Sequence, residues 1–236
     1  MPSLGVVTIG QSPRADLTGE LAAYLPARTS LLEYGALDDL DPSAIAALAP
    51  DTDDDTLTSR LRDGEPVVLD RRRLVPRLEE AISAIEQQGA EVSLLVCTGT
   101  FPPLHHERPL LDAERLLVSG VGAVVGGRGP LGVVAPLPAQ QNVLAGRWER
   151  ALGVPVLVDN ADPYAGGAAD AIPAAVGRLG RRGARIALLD CMGYTEASRE
   201  AAAARTGMPV LLARSVVGRL AGELLSATAG SEVDRR

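Results

Sequence analysis

The chain has 236 residues, a formal net charge of −7 and a pI near 5.0, so a nucleic-acid-binding surface is not expected. Hydrophobic residues make up 46% and charged residues 22%, which is typical of a globular protein with one large α/β domain or two smaller lobes. No apolar run approaches the roughly 20 residues that span a bilayer, and the first residues lack the pattern of a signal peptide. We therefore expect a cytoplasmic protein without a membrane partner, and the two cysteines fit a reducing compartment.

The first predicted strand, Leu4–Val7, leads into the heptapeptide TIGQSPR. Ser12 followed by Pro13 matches the preferred cap and first residue of a helix, so a helix is predicted to begin here. Two interpretations remain open for the polar side chains of Gln11, Ser12 and Arg14. They either cap and support this helix, or they contact the polar groups of a substrate.

Residues from about 38 to 73 read as an insertion, because no matching segment occurs in the second half of the chain. Strand-like runs on either side of Asp63 and Gly64 predict a β-hairpin within it. Such an insertion could serve as a flap or as a subunit contact, which leaves a homodimer open. The arginines at 71–73 are expected on a solvated face, although one of them could reach an anionic substrate.

The stretch LLVCTGT, residues 94–100, places Cys97 at the end of a predicted buried strand. A thiolate in this position is expected to have backbone N–H groups and the start of a helix nearby, and both favour the ionised form. The same N–H groups can hold a carboxylate, and Thr98 and Thr100 add hydroxyl donors beside Gly99. Cys97 is therefore a candidate catalytic residue, and the three residues after it are candidate substrate-binding residues.

The second half of the chain repeats this pattern. Gly5 and Gly132, each in a Leu-Gly-Val-Val strand, are 127 residues apart, whereas Cys97 and Cys191 are 94 apart. The difference of 33 residues matches the size of the insertion. The repeat makes Cys191 a second candidate catalytic residue.

Met192, Gly193 and Tyr194 follow Cys191 as the Thr-Gly-Thr sequence follows Cys97, and they are the equivalent candidate binding residues. Asp190, immediately before Cys191, has three interpretations. It could orient the loop, bind an amine, or satisfy local backbone donors.

Apolar runs that alternate with stretches of helical period predict an α/β fold of two pseudo-symmetric lobes, each with a mostly parallel sheet flanked by helices. We place the first lobe at residues 1–118 plus 208–236 and the second at 119–207, with a cleft between them. Ligands of open α/β sheets bind beyond the carboxyl ends of the strands, so both cysteines are predicted to lie where a substrate binds.

Two opposed thiols suit racemisation, in which one removes a proton next to a carboxylate and the other delivers a proton to the opposite face. No cofactor is needed for this reaction. The alternative is that a buried cysteine at a strand end is a small inert hydrophobe. His105, His106 and Glu107 are expected in a surface loop near Cys97, and no metal is expected because no third ligand has suitable spacing.

Four segments carry a resemblance to known proteins: LGVVTIGQSPR, DTLTSRLRDG with DRRRLVPRL, LLDCMGY, and MPVLLARSVVGRLAGELL. They resemble the aspartate/glutamate/hydantoin racemase superfamily and, within it, the AroM family. The resemblance implies that Cys97 and Cys191 form an opposed acid/base pair and that the residues after each bind the carboxylate of a small substrate. Gly10-Gln11-Ser12 replaces the Asp-Ser of glutamate racemases, so glutamate itself is not the expected substrate.

Two further functions stay open beside a cofactor-independent racemase or epimerase. Arylmalonate decarboxylases and maleate isomerases of the same superfamily use a single thiol, which protonates an enolate or adds to a double bond. The third possibility is a non-catalytic binding protein for a small molecule, since fold alone does not decide among the three.

Overall fold

The computed structural model describes residues 2–52 and 55–230. The chain divides into two compact units, one formed by Met1–Glu114 with Val217–Arg236 and the other by Arg115–Val216. Each unit is built on its own sheet of parallel strands with helices packed against it. The fold class is therefore α/β with two parallel sheets, as predicted.

Nine helices and strands lie wholly before the first unit boundary in the described residues: β1 (Ser3–Thr8), α1 (Ala15–Leu21), β2 (Ser30–Gly35), α2 (Pro42–Ala46), β3 (Thr56–Arg60), β4 (Pro66–Asp70), α3 (Arg71–Gln87), β5 (Val92–Leu95) and β6 (Leu110–Asp112). Strands β2, β1, β5 and β6 form the first sheet in that order, and all neighbours are parallel. Short 3-10 turns occur in addition to these helices.

The remaining elements follow in chain order: α4 (Ala113–Val125), β7 (Leu131–Ala135), α5 (Gln141–Leu152), β8 (Val156–Asn160), α6 (Ala168–Arg181), β9 (Ile186–Leu189), α7 (Glu196–Thr206), β10 (Val210–Leu212) and α8 (Ala213–Gly230). The second sheet has the order β8, β7, β9, β10, and all of its neighbours are parallel. This is the order of the first sheet when equivalent strands are compared.

The bounds of the two units differ from those of the predicted lobes at both divisions of the chain, which fall after Glu114 instead of residue 118 and after Val216 instead of residue 207. The prediction assigns residues 208–236 to the first lobe, but strand β10 pairs with β9 of the second sheet, so the chain returns to the first unit only at Val217. Both unit boundaries fall inside a helix, after Glu114 in α4 and after Val216 in α8. Residues 1, 53, 54 and 231–236, which the predicted boundaries include, lie outside the described residues.

Glycines at equivalent positions explain why each sheet packs closely on its helix. A Cβ at Gly5 of β1 would lie 3.0 Å from the Cβ of Ala90, and a Cβ at Gly132 of β7 would lie 3.0 Å from the Cβ of Ala184. The residue before each alanine is a glycine with φ near +100°, a conformation that ends the preceding helix without strain. The two halves of the chain thus repeat this close glycine–alanine contact as well as the sequence pattern.

One of the helices against each sheet is amphipathic, with apolar residues that recur at helical spacing. Helix α3 buries Leu74, Leu78, Ile82 and Ile85 against strands β1 and β2. Helix α6 buries an equivalent row against β7 and β8, formed by Ile172, Ala175, Val176 and Leu179. These rows form much of the core of each unit.

The insertion contains the predicted hairpin. Strands β3 and β4 are antiparallel and pair from Thr56 with Asp70 to Arg60 with Pro66. Gly64 lies in the connecting turn with φ of +91°, which the absence of a side chain allows. The short helix α2 precedes the hairpin, and the Asp41 carboxylate caps it by accepting the N–H of Ala44.

Candidate active site

The two cysteines occupy the same position relative to their own sheets. Strand β5 ends at Leu95, which pairs with Val7 of β1, and strand β9 ends at Leu189, which pairs with Val134 of β7. Cys97 and Cys191 each follow two residues later. Each thiol therefore lies beyond the carboxyl end of a central parallel strand, the edge at which α/β sheets bind ligands.

Each sulfur accepts a backbone hydrogen bond from the glycine two residues further on. The N–H of Gly99 donates to Cys97 Sγ at 3.3 Å, and the N–H of Gly193 donates to Cys191 Sγ at 3.3 Å. Both cysteines are free thiols, with 7% and 9% of their surface exposed. A donor on sulfur favours the thiolate, which is the form that acts as a base or nucleophile.

The turn after Cys97 is held by two side chains of the first unit. Arg71 Nη1 donates to the Thr100 carbonyl at 3.1 Å, and the Thr100 hydroxyl donates to Glu114 Oε1 at 3.3 Å. Leu57 of the hairpin covers Gly99, since a Cβ there would lie 2.9 Å from its Cδ2. The expectation of a helix start after Cys97 is wrong, because the chain is irregular from there until β6 begins at Leu110.

The turn after Cys191 is held by buried groups. Arg214 donates to the Met192 carbonyl through Nε at 3.0 Å and through Nη2 at 2.6 Å. Tyr194 donates its hydroxyl to the Ala161 carbonyl at 2.7 Å and its N–H to the Cys191 carbonyl at 3.3 Å. A helix does follow this turn, since α7 begins at Glu196 with Thr195 as its cap.

Tyr194 remains a neutral phenol over a wide pH range. Burial raises its pKa well above the usual value of 10, and the neighbouring Cys191 and Asp190 raise it further. Its hydroxyl is already bonded to a backbone carbonyl. A direct role of Tyr194 toward a substrate therefore stays a prediction, as it does for the other five turn residues, Thr98, Gly99, Thr100, Met192 and Gly193.

Asp190 anchors the end of β9 to helix α5. The residue is 1% exposed, and its Oδ2 accepts the indole N–H of Trp148 at 2.6 Å and a hydrogen bond from Arg147. Its Oδ1 has no hydrogen-bond partner among the described residues. Of the three interpretations of Asp190, satisfying local backbone donors is therefore wrong for its side chain, which bonds to another element.

Trp148, Arg147 and Arg214 are not among the residues that the sequence analysis selects. They lie 42, 43 and 22 residues from their partners at the Cys191 turn. One signal in the sequence could have indicated Trp148. It is the single tryptophan of a chain poor in aromatics, and a buried indole N–H needs an acceptor.

Ser12 does not cap a helix. Its N–H and hydroxyl both donate to the carboxylate of Asp38, at 2.7 and 2.6 Å, and helix α1 begins only at Ala15 with no side-chain cap. The capping expectation is wrong because a carboxylate in the loop after β2 binds the serine instead. Gln11 also bridges elements, accepting the N–H of Arg62 at 2.9 Å and donating to the Leu37 carbonyl at 3.3 Å.

Arg14 is buried, and Asp16 and Ser59 are among its partners. Its guanidinium makes a bidentate pair with Asp16, at 2.8 Å for each bond, and donates to the Ser59 hydroxyl of β3 at 3.1 Å. The hairpin also lies directly over Gly10, where a Cβ would overlap the Arg60 carbonyl. The described contacts of TIGQSPR thus attach the insertion to the sheet, and a substrate role for Gln11, Ser12 and Arg14 stays a prediction.

Of the three consecutive arginines at the start of α3, Arg72 and Arg73 are exposed, as expected for a solvated face, but all three side chains are also paired. Arg71 and Arg72 both bond to the buried carboxylate of Asp55, and Arg73 donates to the carbonyls of Ala47 and Ala49. The hydrogen bond from Arg72 holds the pKa of Asp55 below its usual value, although burial acts in the opposite direction. Asp55 thereby fixes Arg71 beside the Cys97 turn.

His105 and His106 are exposed in the irregular segment between β5 and β6. The N–H of His105 donates to Glu79, and the His106 ring is bonded to the carbonyl of Arg108. Within residues 2–52 and 55–230, no group of three or more histidines, cysteines or carboxylates could hold a metal ion. In the same residues, no helix has the length and apolar character needed to cross a membrane.

Solved structures with this architecture include racemases and an arylmalonate decarboxylase. Aspartate racemase from Picrophilus torridus is 14% identical, with a TM-score of 0.62 over 98% of this chain and 95% of that one. Glutamate racemase from Francisella tularensis, in complex with D-glutamate, is 13% identical, with a TM-score of 0.61 over 97% and 82%. An arylmalonate decarboxylase mutant is 16% identical, with a TM-score of 0.57 over 95% and 92%. At these identities the likeness establishes the fold alone.

The family follows from the sequence itself. The model of the AroM protein family matches residues 4–225, which is nearly the whole chain. The chain therefore belongs to the AroM family. No curated protein matches the sequence.

Proposed function

We propose that the protein is a cofactor-independent racemase or epimerase of a small carboxylate or amino-acid derivative, with Cys97 and Cys191 as its acid and base. One observation carries the proposal. Two free cysteines follow equivalent strands at the same register, and each sulfur accepts the N–H of the glycine two residues later. The packing of an inert buried cysteine does not require a hydrogen bond to its sulfur. Here the same hydrogen bond occurs in both units.

The proposed reaction is redox-neutral. One thiolate takes the proton from the substrate α-carbon and becomes a thiol, while the electron pair of the broken C–H bond moves into the carbonyl or carboxylate as an enolate. The other thiol then donates its proton to the opposite face of that carbon and becomes a thiolate. The product is the mirror-image configuration, and the two sulfurs have exchanged protonation states.

Racemisation in this form requires both thiols, and deuterium incorporation tests the requirement. The purified protein is incubated in D₂O with chiral amino acids, hydantoins and 2-substituted malonates, and exchange at the α-carbon is measured. For a substrate found in this way, Cys97→Ser and Cys191→Ser are each expected to lower turnover by about 10²–10⁴-fold, the usual contribution of a general acid or base. Because serine is nearly isosteric with cysteine, unchanged melting temperatures serve as the control for folding.

Full turnover by Cys97→Ser would contradict the two-thiol mechanism. That result would favour the second candidate, a single-thiol decarboxylase or cis–trans isomerase, in which Cys191 alone protonates an enolate or adds to a double bond. Two observations support this alternative: the fold is shared with an arylmalonate decarboxylase, and the surroundings of the two cysteines differ. Decarboxylation of a 2-substituted malonate that depends on Cys191 but not on Cys97 would establish it.

A binding protein would give a third result. Its ligands would shift the melting temperature or the fluorescence of Trp148, with neither exchange nor turnover in any of the three substrate classes. Trp148 is suited to report on binding, because it is the single tryptophan of the chain and bonds to the residue before Cys191.

A further inference from the structure

Arg214 is a charged residue with no exposed surface, and its guanidinium donates two hydrogen bonds to one carbonyl oxygen, that of Met192. That carbonyl belongs to the peptide group joining Met192 to Gly193. The N–H of the same peptide group is the donor to the Cys191 sulfur. Arg214 and Cys191 are therefore linked through a single peptide plane.

Peptide geometry makes this link rigid. The carbonyl and the N–H of a trans peptide lie in one plane and point in opposite directions, so a carbonyl held at one end fixes the direction of the N–H at the other. A hydrogen bond to the carbonyl also polarises the group, and the N–H becomes a stronger donor. A cation that donates two hydrogen bonds to the same oxygen strengthens both effects.

The hydrogen bonds described for the Cys97 turn are arranged differently. Glu114 and Arg214 are equivalent in the repeat, each being the second residue of the helix that follows the last strand of its sheet. Glu114, however, accepts a hydrogen bond from the Thr100 hydroxyl, and an ionised carboxylate cannot donate to a carbonyl. Arg71 does donate to a carbonyl, but to that of Thr100, which does not belong to the Thr98–Gly99 peptide that bonds to sulfur.

We propose that Arg214 is a positioning residue that stabilises the Cys191 thiolate through the Met192–Gly193 peptide. This inference deepens the proposed function and rests on it, because it identifies a residue that prepares Cys191 to act as the base. The proposed reaction gives the assignment its catalytic meaning, but the ionisation itself can be measured without a substrate.

Other charged and titratable groups also lie near Cys191. Asp190 directly precedes it, and the Asp190 carboxylate bonds to Arg147 and Trp148. Tyr194 lies in the same region with Tyr164 and Asp162 from the loop after β8, and Tyr194 stays neutral. On the Cys97 side the corresponding groups are Glu114 from α4, Arg71 and Arg72 from α3, and Asp55 from the segment before β3.

The test is the pH dependence of alkylation, measured separately for each cysteine. The intact protein is pulsed with iodoacetamide between pH 5 and 10, and the modified peptides are quantified by mass spectrometry. The midpoint of each rate profile reports thiolate formation independently of how accessible each sulfur is. In the wild-type protein, we expect the Cys191 midpoint to lie about one pH unit below the usual thiol value of about 8.5, the size of effect that one strong charge-assisted donor gives.

Two substitutions of Arg214 test its link to Cys191. Arg214→Met removes both donors, and Arg214→Lys keeps the charge but not the two-pronged geometry. Both are expected to raise the Cys191 midpoint, by about one pH unit for methionine and by less for lysine. The Cys97 midpoint in the same molecules should not move. Arg71→Lys is the matched control, because it alters an arginine–carbonyl contact of the other turn and should leave the Cys191 midpoint unchanged.

The outcomes separate cleanly. A purely structural Arg214 would leave the Cys191 midpoint in place, or would make both cysteines more reactive at every pH as the packing loosens. Either result overturns the proposal. If neither variant folds, as judged by Trp148 emission, the wild-type profile of Cys191 decides, and a midpoint at or above about 8.5 rejects the proposal. Absence of racemase activity would reject the proposed function without affecting these measurements.

Discussion

The two cysteine turns, which are the turns after Cys97 and Cys191 with their supporting residues, have the same local backbone arrangement and differ in the residues that support it. Both have the same strand register, the same Gly-Ala turn before the strand, and the same glycine N–H on sulfur. The Cys97 turn is supported by the hairpin and by the partly exposed Arg71. The Cys191 turn is supported by the buried side chains of Asp190 and Arg214.

Differences in connectivity produce this contrast. The first unit inserts α2 and the hairpin between β2 and α3, and it has no helix between β5 and β6 in the described residues. The second unit joins β8 to α6 by a short loop and places helix α7 between β9 and β10. A duplicated fold can thus keep two thiols in matching positions while giving them unequal surroundings. An acid and a base require such an inequality, because one must hold its proton while the other lacks one.

The largest expected effect tests the anchor before Cys191. Asp190→Ala removes a buried carboxylate and leaves Arg147 and the Trp148 indole without it, so we expect a loss of about 3–5 kcal/mol in the free energy of unfolding. Val96 is the equivalent residue of the first unit, and Val96→Ala should cost only about 1–2 kcal/mol through lost apolar packing. Urea unfolding of both variants, followed by circular dichroism, measures the difference. Equal losses would show that the two strand ends are supported alike.

A smaller effect is expected at the support of the Cys97 turn. Asp55 is 2% exposed and bonds to Arg71 and Arg72, so Asp55→Asn should lower the free energy of unfolding by about 2 kcal/mol near neutral pH. Its pKa in the folded protein is held below the usual value of 3.8, chiefly by the hydrogen bond from Arg72. The stabilisation is therefore fully present above about pH 4 and is lost as the pH falls through the lower folded value.

The control for this prediction is another aspartate that pairs with an arginine of the same run. Asp51 bonds to Arg73, but its side chain is 77% exposed, so Asp51→Asn should change stability by no more than about 0.5 kcal/mol. Wild-type and both variants are unfolded in urea at pH 7 and at pH 3. The difference between wild-type and Asp55→Asn should shrink at pH 3. A difference that is independent of pH would contradict a role for the ionised carboxylate.

The sequence alone predicts the parts of the molecule that depend on local patterns. The alternation of apolar runs and helical stretches predicts both sheets, Asp63 with Gly64 predicts the hairpin turn, and the repeat predicts the equivalence of Cys97 and Cys191. Each of these signals is complete within a few residues, or within two copies of one pattern.

Contacts between distant residues decide the parts that could not be predicted. Ser12 has the sequence signature of a helix cap, but a carboxylate 26 residues away takes its hydroxyl. Arg214 lies in a segment that a helical pattern describes fully, and nothing local indicates that its side chain is buried against a carbonyl 22 residues away. The repeat predicts a helix after Cys97 that would match α7. In the described residues, the first unit has no helix between β5 and β6.

The smallest expected effect concerns Tyr194, whose hydroxyl bonds to the Ala161 carbonyl at 2.7 Å in a buried position. Tyr194→Phe leaves this carbonyl without its donor, so we expect a loss of about 1 kcal/mol at pH 7. Burial raises the pKa of Tyr194 well above 10, so the neutral phenol contributes stability that is complete below pH 10 and is lost as the pH rises toward the folded value. The phenylalanine variant should therefore lose less stability than wild-type between pH 9 and 11.

Tyr34 of the first unit provides the comparison for Tyr194. Its hydroxyl bonds to Asp39 at 2.5 Å in an exposed position, and that hydrogen bond raises its pKa in the same direction. Because solvent can replace the bond, Tyr34→Phe should change the stability at pH 7 less than Tyr194→Phe does. Trp148 fluorescence reports on the second unit. The urea unfolding transition that it follows should shift for Tyr194→Phe and hardly shift for Tyr34→Phe. Equal responses would mean that the Tyr194 hydroxyl stabilises the Cys191 turn no more than the Tyr34 hydroxyl stabilises its own loop.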